Sequence, residues 1–176
     1  MKKHRDLLTI LVVFCVMVVA GFTCENLLAQ ASRSTTVFLY FIDAEELKLA
    51  SERRVIDKAA NIVEQIRLTI VELIMGPTKD LISAIPEETE VNSVFLDEKG
   101  CVYVDFSRAI SRNHPGGTTG EMATISSIVN TLTANFPEEI QKVQILIGGE
   151  EARSLAGHID ISKPIFPFEL GSLIAK

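Results

Sequence analysis

Tryptophan is absent from the chain, and cysteine and histidine occur only three times each. Two of the cysteines, Cys15 and Cys24, fall within the first thirty residues, so Cys101 alone serves the remainder. A fold held by internal disulfides is thereby excluded, as is a cysteine-rich metal centre. Cys101 sits within an alternating apolar run, where it reads as a small buried hydrophobe. Clusters of lysine and arginine are missing too. The formal charge is −6; removing residues 1–31 takes away three bases (Lys2, Lys3, Arg5) and two acids (Asp6, Glu25) and leaves −7. Such a surface has nothing with which to displace counterions from phosphates, so nucleic acid is not an expected partner. Linkers of low complexity and internal repeats are also lacking, and 176 residues leave room for one domain and a leader.

What is present at the N-terminus is a basic start followed by an uninterrupted apolar run, Leu7 to Phe22, and a small-x-small sequence, Ala29-Gln30-Ala31. Residues 1–31 therefore read as a signal peptide or an N-terminal membrane anchor. As a helix the run spans roughly 24 Å against a hydrocarbon core of about 30 Å. Both fates stay open: cleavage gives a soluble exported chain, and retention leaves an extracytoplasmic chain anchored by residues 7–23.

Beyond the leader the pattern alternates between periods. Val37–Ile42 is apolar on both faces, as an interior strand is, and "LKLASERRVI" returns as a second, half-exposed strand. From Lys58 to Met75 the apolar residues Ala59, Ile62, Val63, Ile66, Ile70, Leu73 and Ile74 fall on one helical face. Gly76 and Pro77 end that helix. "VNSVFLDEKGCVYVDFS" predicts a β-hairpin turning at Asp97–Gly100, with Val102, Val104 and Phe106 toward the core. A second helix over Thr119–Asn135 buries Met122, Ile125, Val129, Leu132 and Phe136, and "VQILIGG" follows as a strand. The order predicts an α+β fold, two helices packed on one face of a small, mostly antiparallel sheet. Strands on either side of each helix are expected to be neighbours. The domains are read as 1–31 leader, 35–167 single domain and 168–176 C-terminal tail.

Three sites are suggested by residue type. "GGTTGE" resembles a phosphate cradle, but Glu121 stands where a cation is needed. Thr118 and Glu121 read instead as a reciprocal capping box at the helix start. Asp105, Ser107 and His114 suggest a hydrolytic set, yet no Gly-x-Ser-x-Gly elbow accompanies them, and Ser107 reads more simply as a strand-end residue. His158 and Asp160 alternate onto one face without the further ligands that a metal requires. No cofactor is expected, and no enzyme signature stands out. A partner is hinted at by Phe38, Tyr40 and Ile42, an apolar set opposite Val37, Leu39 and Phe41, for which the tail residues Ile165, Phe166 and Phe168 are the expected cover. The loop bearing Arg108, Arg112, Asn113 and His114 is the candidate partner surface.

Taken in order, "YFIDAEE", "ERRVI", "LIMGPT", "SAIPEETEVNSV", "CVYVDFS", "NTLTANFP" and "VQILIGGEEARSLAGHIDISKP" resemble the GerMN (Germane) domain of spore-germination and sporulation proteins, from about Thr36 to Pro164. The resemblance implies an extracytoplasmic module similar to ring-building motifs, without catalytic residues to carry over. It implies a non-enzymatic interaction or scaffold role in the cell envelope, with an envelope protein, a second copy or cell-wall material as partner, and with the membrane reached through the N-terminal segment if uncleaved. The alternative from a different class is a cell-wall ligand-binding protein or envelope hydrolase using Asp105, Ser107 and His114.

Overall fold

Residues 33–46 and 48–170 are described in the computed structural model. The chain divides into two units, Met1–Thr35 and Thr36–Lys176. The expected leader, its anchor at 7–23 and the last six residues of the tail lie outside the described residues. The fold is that of the second unit.

β1 (Ser34–Asp43) and β2 (Lys48–Asp57) form a two-stranded sheet. Their link is too short for anything but an antiparallel turn. Val37, Leu39 and Phe41 of β1 face the core and are buried. α1 (Ile62–Ile74) comes next. It starts four residues later than the apolar spacing predicts because Asn61 takes the capping position, its side chain accepting from the N–H of Glu64 at 2.9 Å. Gly76, at φ +85°, ends it in a conformation that a side chain would strain.

β3 (Val91–Leu96), β4 (Cys101–Phe106), β5 (Lys142–Ile147) and β6 (Glu150–Glu151) make a four-stranded sheet in the order β3-β4-β5-β6. β3 and β4 form the predicted antiparallel hairpin, with a register shift between Val91 and Ser93. β4 and β5 are parallel, Val104 opposite Ile145. Between them run a single helical turn, α2 (Ala109–Arg112), and the long helix α3 (Thr118–Asn135). Val102, Val104, Phe106, Val143 and Ile145 are fully buried on the face that receives the helices. α1 packs on β3, α3 on β5, and the helices on each other. The α+β architecture is therefore as expected, with the strands divided between two sheets.

That division corrects one expectation. β4 and β5 are neighbours around α3, but β2 and β3, on either side of α1, belong to different sheets. The reason on the β1 side lies in α3, where Ser127, Thr131 and Asn135 recur every fourth residue and so share one face. The Asn135 amide accepts from the Phe38 N–H at 2.8 Å and donates to its C=O at 2.6 Å. The Thr131 hydroxyl accepts from the Tyr40 N–H at 3.0 Å, and Ser127 donates to the Tyr40 C=O. Further along, Ile42 and Ile82 exchange backbone bonds. Helix side chains thus occupy the edge where another strand would pair. α3 is consequently buried nearly all round, its polar residues included.

The tail meets the apolar set it was expected to cover only at Tyr40, which lines a shared recess with Phe168. Ile165 bridges Val143, Phe168 packs against the core and its C=O accepts from Asn130 at 2.9 Å. Phe166 stays in water with Lys142 over its ring, and Phe38 is exposed.

Candidate functional site

Asp105, Ser107 and His114 are each committed to a different piece of backbone. Asp105 accepts from the Gly149 N–H at 2.7 Å and from the Asn92 amide at 3.0 Å, tying β4 to the turn after β5 and to β3. Ser107 pairs with Glu90 twice, its hydroxyl accepting from the Glu90 N–H at 3.0 Å and its own N–H donating to the Glu90 C=O. The His114 ring accepts at Nδ1 from the Gly116 N–H at 2.9 Å. Nε2 therefore carries the proton and donates to the Thr124 hydroxyl, which donates in turn to the Ala84 C=O at 2.6 Å. Burial, partly offset by the nearby Glu121 carboxylate, lowers the His114 pKa. No hydrogen bond joins any two of the three among the described residues.

The candidate partner surface is less of a loop than the sequence suggests, since α2 lies within it. Arg108, Arg112 and Asn113 are exposed and His114 is half-buried. Arg108 lies across Gly148, at φ +63°, where an added Cβ would come within 3.0 Å of its Nε. The Asn113 amide donates to Glu88 at 3.2 Å, joining this surface to the segment that leads into β3.

Two buried carboxylates have roles that the sequence reading missed: Glu121 reads there as a cap, and Glu52 is not singled out. Glu121 is not half of a capping box: the residue before α3 is Gly117, and no side-chain cap is formed. Its fully buried carboxylate accepts from the backbone N–H of His158 at 2.9 Å, from the His158 ring at 2.8 Å and from the Ile159 N–H at 3.1 Å. Burial opposes its charge, but these donors outweigh it and lower the pKa. A capping Glu and a Glu anchoring a distant loop look alike in sequence because both stand in the first helical turn. Glu52, 1% exposed, accepts from Arg54 and from the Thr78 N–H, the Thr78 hydroxyl and the Lys79 N–H. Burial opposes ionisation here too, yet Arg54 and Thr78 bring the pKa down to about 2. Arg54 also donates to the C=O of Glu72 and Gly76, stabilising the C-terminus of α1. The alternation of Glu52 and Arg54 on one strand face was the available signal.

A cleft of about 620 Å³ opens between α1 and the segment entering β3. Val71, Ile74, Met75 and Val91 form its apolar wall, and Arg67, Glu87 and Glu90 its charged margin. Thr89 also lines it. The Thr89 hydroxyl is the one buried side-chain oxygen or nitrogen without a hydrogen-bond partner among the described residues.

The same architecture recurs in known proteins. The Germane profile, described as sporulation and spore germination, matches residues 38–153. Among solved structures, a Clostridium perfringens protein designated a lipoprotein is 26% identical with a TM-score of 0.55, over 76% of this chain and 88% of that one. The first GerMN domain of the sporulation protein GerM from Bacillus subtilis gives a TM-score of 0.61 at 21% identity, over 75% of this chain and 97% of that one. The tandem GerMN domains of the same protein give 0.57 at 19% identity, over 78% of this chain and 47% of that one. Curated protein sequences give no match. Two thirds of the sequence fit the family profile and the fold agrees with both GerM structures, so this chain belongs to the Germane family.

Proposed function

We propose that the chain is an exported, non-enzymatic interaction module of the bacterial envelope. Support comes from the family, from the basic and apolar leader in the sequence, and from the likeness to a protein designated a lipoprotein. One observation carries the reading. The polar residues that resemble chemistry, Asp105, Ser107 and His114, all hold backbone segments in place, while Phe38, Phe95, Phe166 and Met75 remain in water. A stiff scaffold with apolar side chains on its surface is suited to contacts with other polypeptides. The surface of Arg108, Arg112 and Asn113 belongs to this proposal as a contact region.

Cross-linking in living cells with a C-terminally tagged chain, followed by mass spectrometry, tests it. Reproducible cross-links from one surface to one envelope protein or to a second copy are expected. Absence of any protein cross-link despite good expression would count against the module. Alanine at Asp105, Ser107 and His114 should impair function only as far as it impairs folding, read by thermal melts alongside the phenotype.

A further inference from the structure

We propose that the cleft beside α1 and the outer edge of β3 together form a site for an extended polypeptide segment carrying an aliphatic side chain next to a lysine or arginine. The inference rests on the interaction-module reading and gives that module a surface and a ligand class.

The edges of the two sheets differ in how they are protected. β1 is covered by α3 side chains. β2 carries Lys48, Glu52, Arg53, Arg54 and Asp57, and charge discourages strand addition. β6 is two residues long. β3, Val-Asn-Ser-Val-Phe-Leu, has six residues, no charge and, among the described residues, only β4 beside it. Nothing among the described residues takes up its outward backbone groups. An extended chain laid on such an edge gains backbone hydrogen bonds, with alternate side chains available for pockets.

The cleft ends at Val91, where β3 begins, and its volume suits a few side chains. Val71, Ile74 and Val91 offer an aliphatic wall, and Met75, 72% exposed, is a flexible surface able to mould to an incoming side chain. Glu87 and Glu90 have no cationic partner among the described residues, so the margin favours a basic neighbour; Arg67 stands 3.9 Å from Glu64 on the helix side. The unpartnered Thr89 hydroxyl lies two residues before β3. It is an unused hydrogen-bonding group in the cleft lining, available to the backbone of a bound segment.

The test selects binders from a random decapeptide library displayed on phage, using the full-length chain in detergent micelles. One winning sequence is then measured as a fluorescent peptide by anisotropy. The expected winners place Ile, Leu, Val or Met beside Lys or Arg and bind saturably. The double variant Met75→Lys with Glu90→Lys should weaken binding tenfold or more; both side chains are exposed, and an unchanged thermal melt confirms the fold. Methylating alternate backbone nitrogens of the peptide should cause a similar loss by removing strand-pairing donors. Failure to enrich any sequence, enrichment of acidic ones, or indifference to the double variant overturns the site. Equal binding of the methylated peptide overturns the edge-pairing part. In-cell cross-links to an envelope protein without peptide selection would reject this site and keep the module reading; peptide binding without cross-links would do the reverse.

Discussion

The two sheets of this molecule are held by different means. The four-stranded sheet is joined by its own backbone ladder, and among the described residues its outer strand β3 ends in an open edge. The two-stranded sheet has no further strand among the described residues and, apart from the Ile42–Ile82 backbone bridge, is fastened by side chains. Ser127, Thr131 and Asn135 of α3 hold β1, and Glu52 with Arg54 holds β2 to the end of α1. A backbone ladder tolerates substitution because every residue supplies the same donor and acceptor. A side-chain fastening depends on particular residues and, where carboxylates take part, on pH. The contrast places sensitivity in one sheet and, among the described residues, leaves the other with an unpaired edge.

The contrast breaks most visibly at Glu52. Glu52→Ala leaves Arg54 with only part of its neutralisation and the Thr78 N–H unpaired, and should cost about 3 kcal/mol, read as a lower urea midpoint with an unchanged slope. Acid probes the same cluster. A carboxyl with a folded pKa near 2 and an ordinary value of 4.5 contributes stability that is complete above pH 4.5 and is lost as the pH falls toward 2. The loss should approach 3 kcal/mol in order of magnitude, and urea titrations across that window should show it shrink in Glu52→Gln. Next comes Thr131→Val, which preserves shape but orphans the Tyr40 N–H; a penalty of about 1–3 kcal/mol is expected from the same titration.

His114 sharpens the comparison at a milder pH. Its depressed folded pKa means that its contribution is complete above the ordinary value of 6.5 and declines as the pH falls below it. Ring proton shifts in an NMR titration should place its midpoint below 6.5. The smallest effect belongs to the open edge. Ser93→Ala, on the exposed side of β3, should stay within about 0.5 kcal/mol of the parent, and a larger penalty would show that this edge is structurally engaged.

Much of the fold was legible because it follows from periodicity. The stripe through Ile66, Ile70 and Leu73, the alternation of Val102, Val104 and Phe106, and the Gly76-Pro77 stop each carry their structure locally. The end of α1 was read well and its start less so, because Asn61 caps it through a single side-chain bond that apolar spacing does not reveal. Glu121 was misassigned for a related reason. A capping carboxylate finds its partner one turn away, whereas this one finds it 37 residues on. The cleft was not foreseen at all, since α1 and the segment entering β3 meet only after folding.

The sequence by itself determined the main strands and the two long helices, the α+β class and the family, since strand and helix periods and turn residues act over a few positions of chain; the short α2 and β6 it did not show. Tertiary structure alone decided that the strands separate into two sheets and that polar residues of α3 close one edge while β3 stays open among the described residues. It also decided that Asp105, Ser107 and His114 serve three separate backbone segments. Those outcomes depend on hydrogen-bond partners dozens of residues apart, and a donor's identity in the sequence says nothing of which acceptor the fold will bring to it.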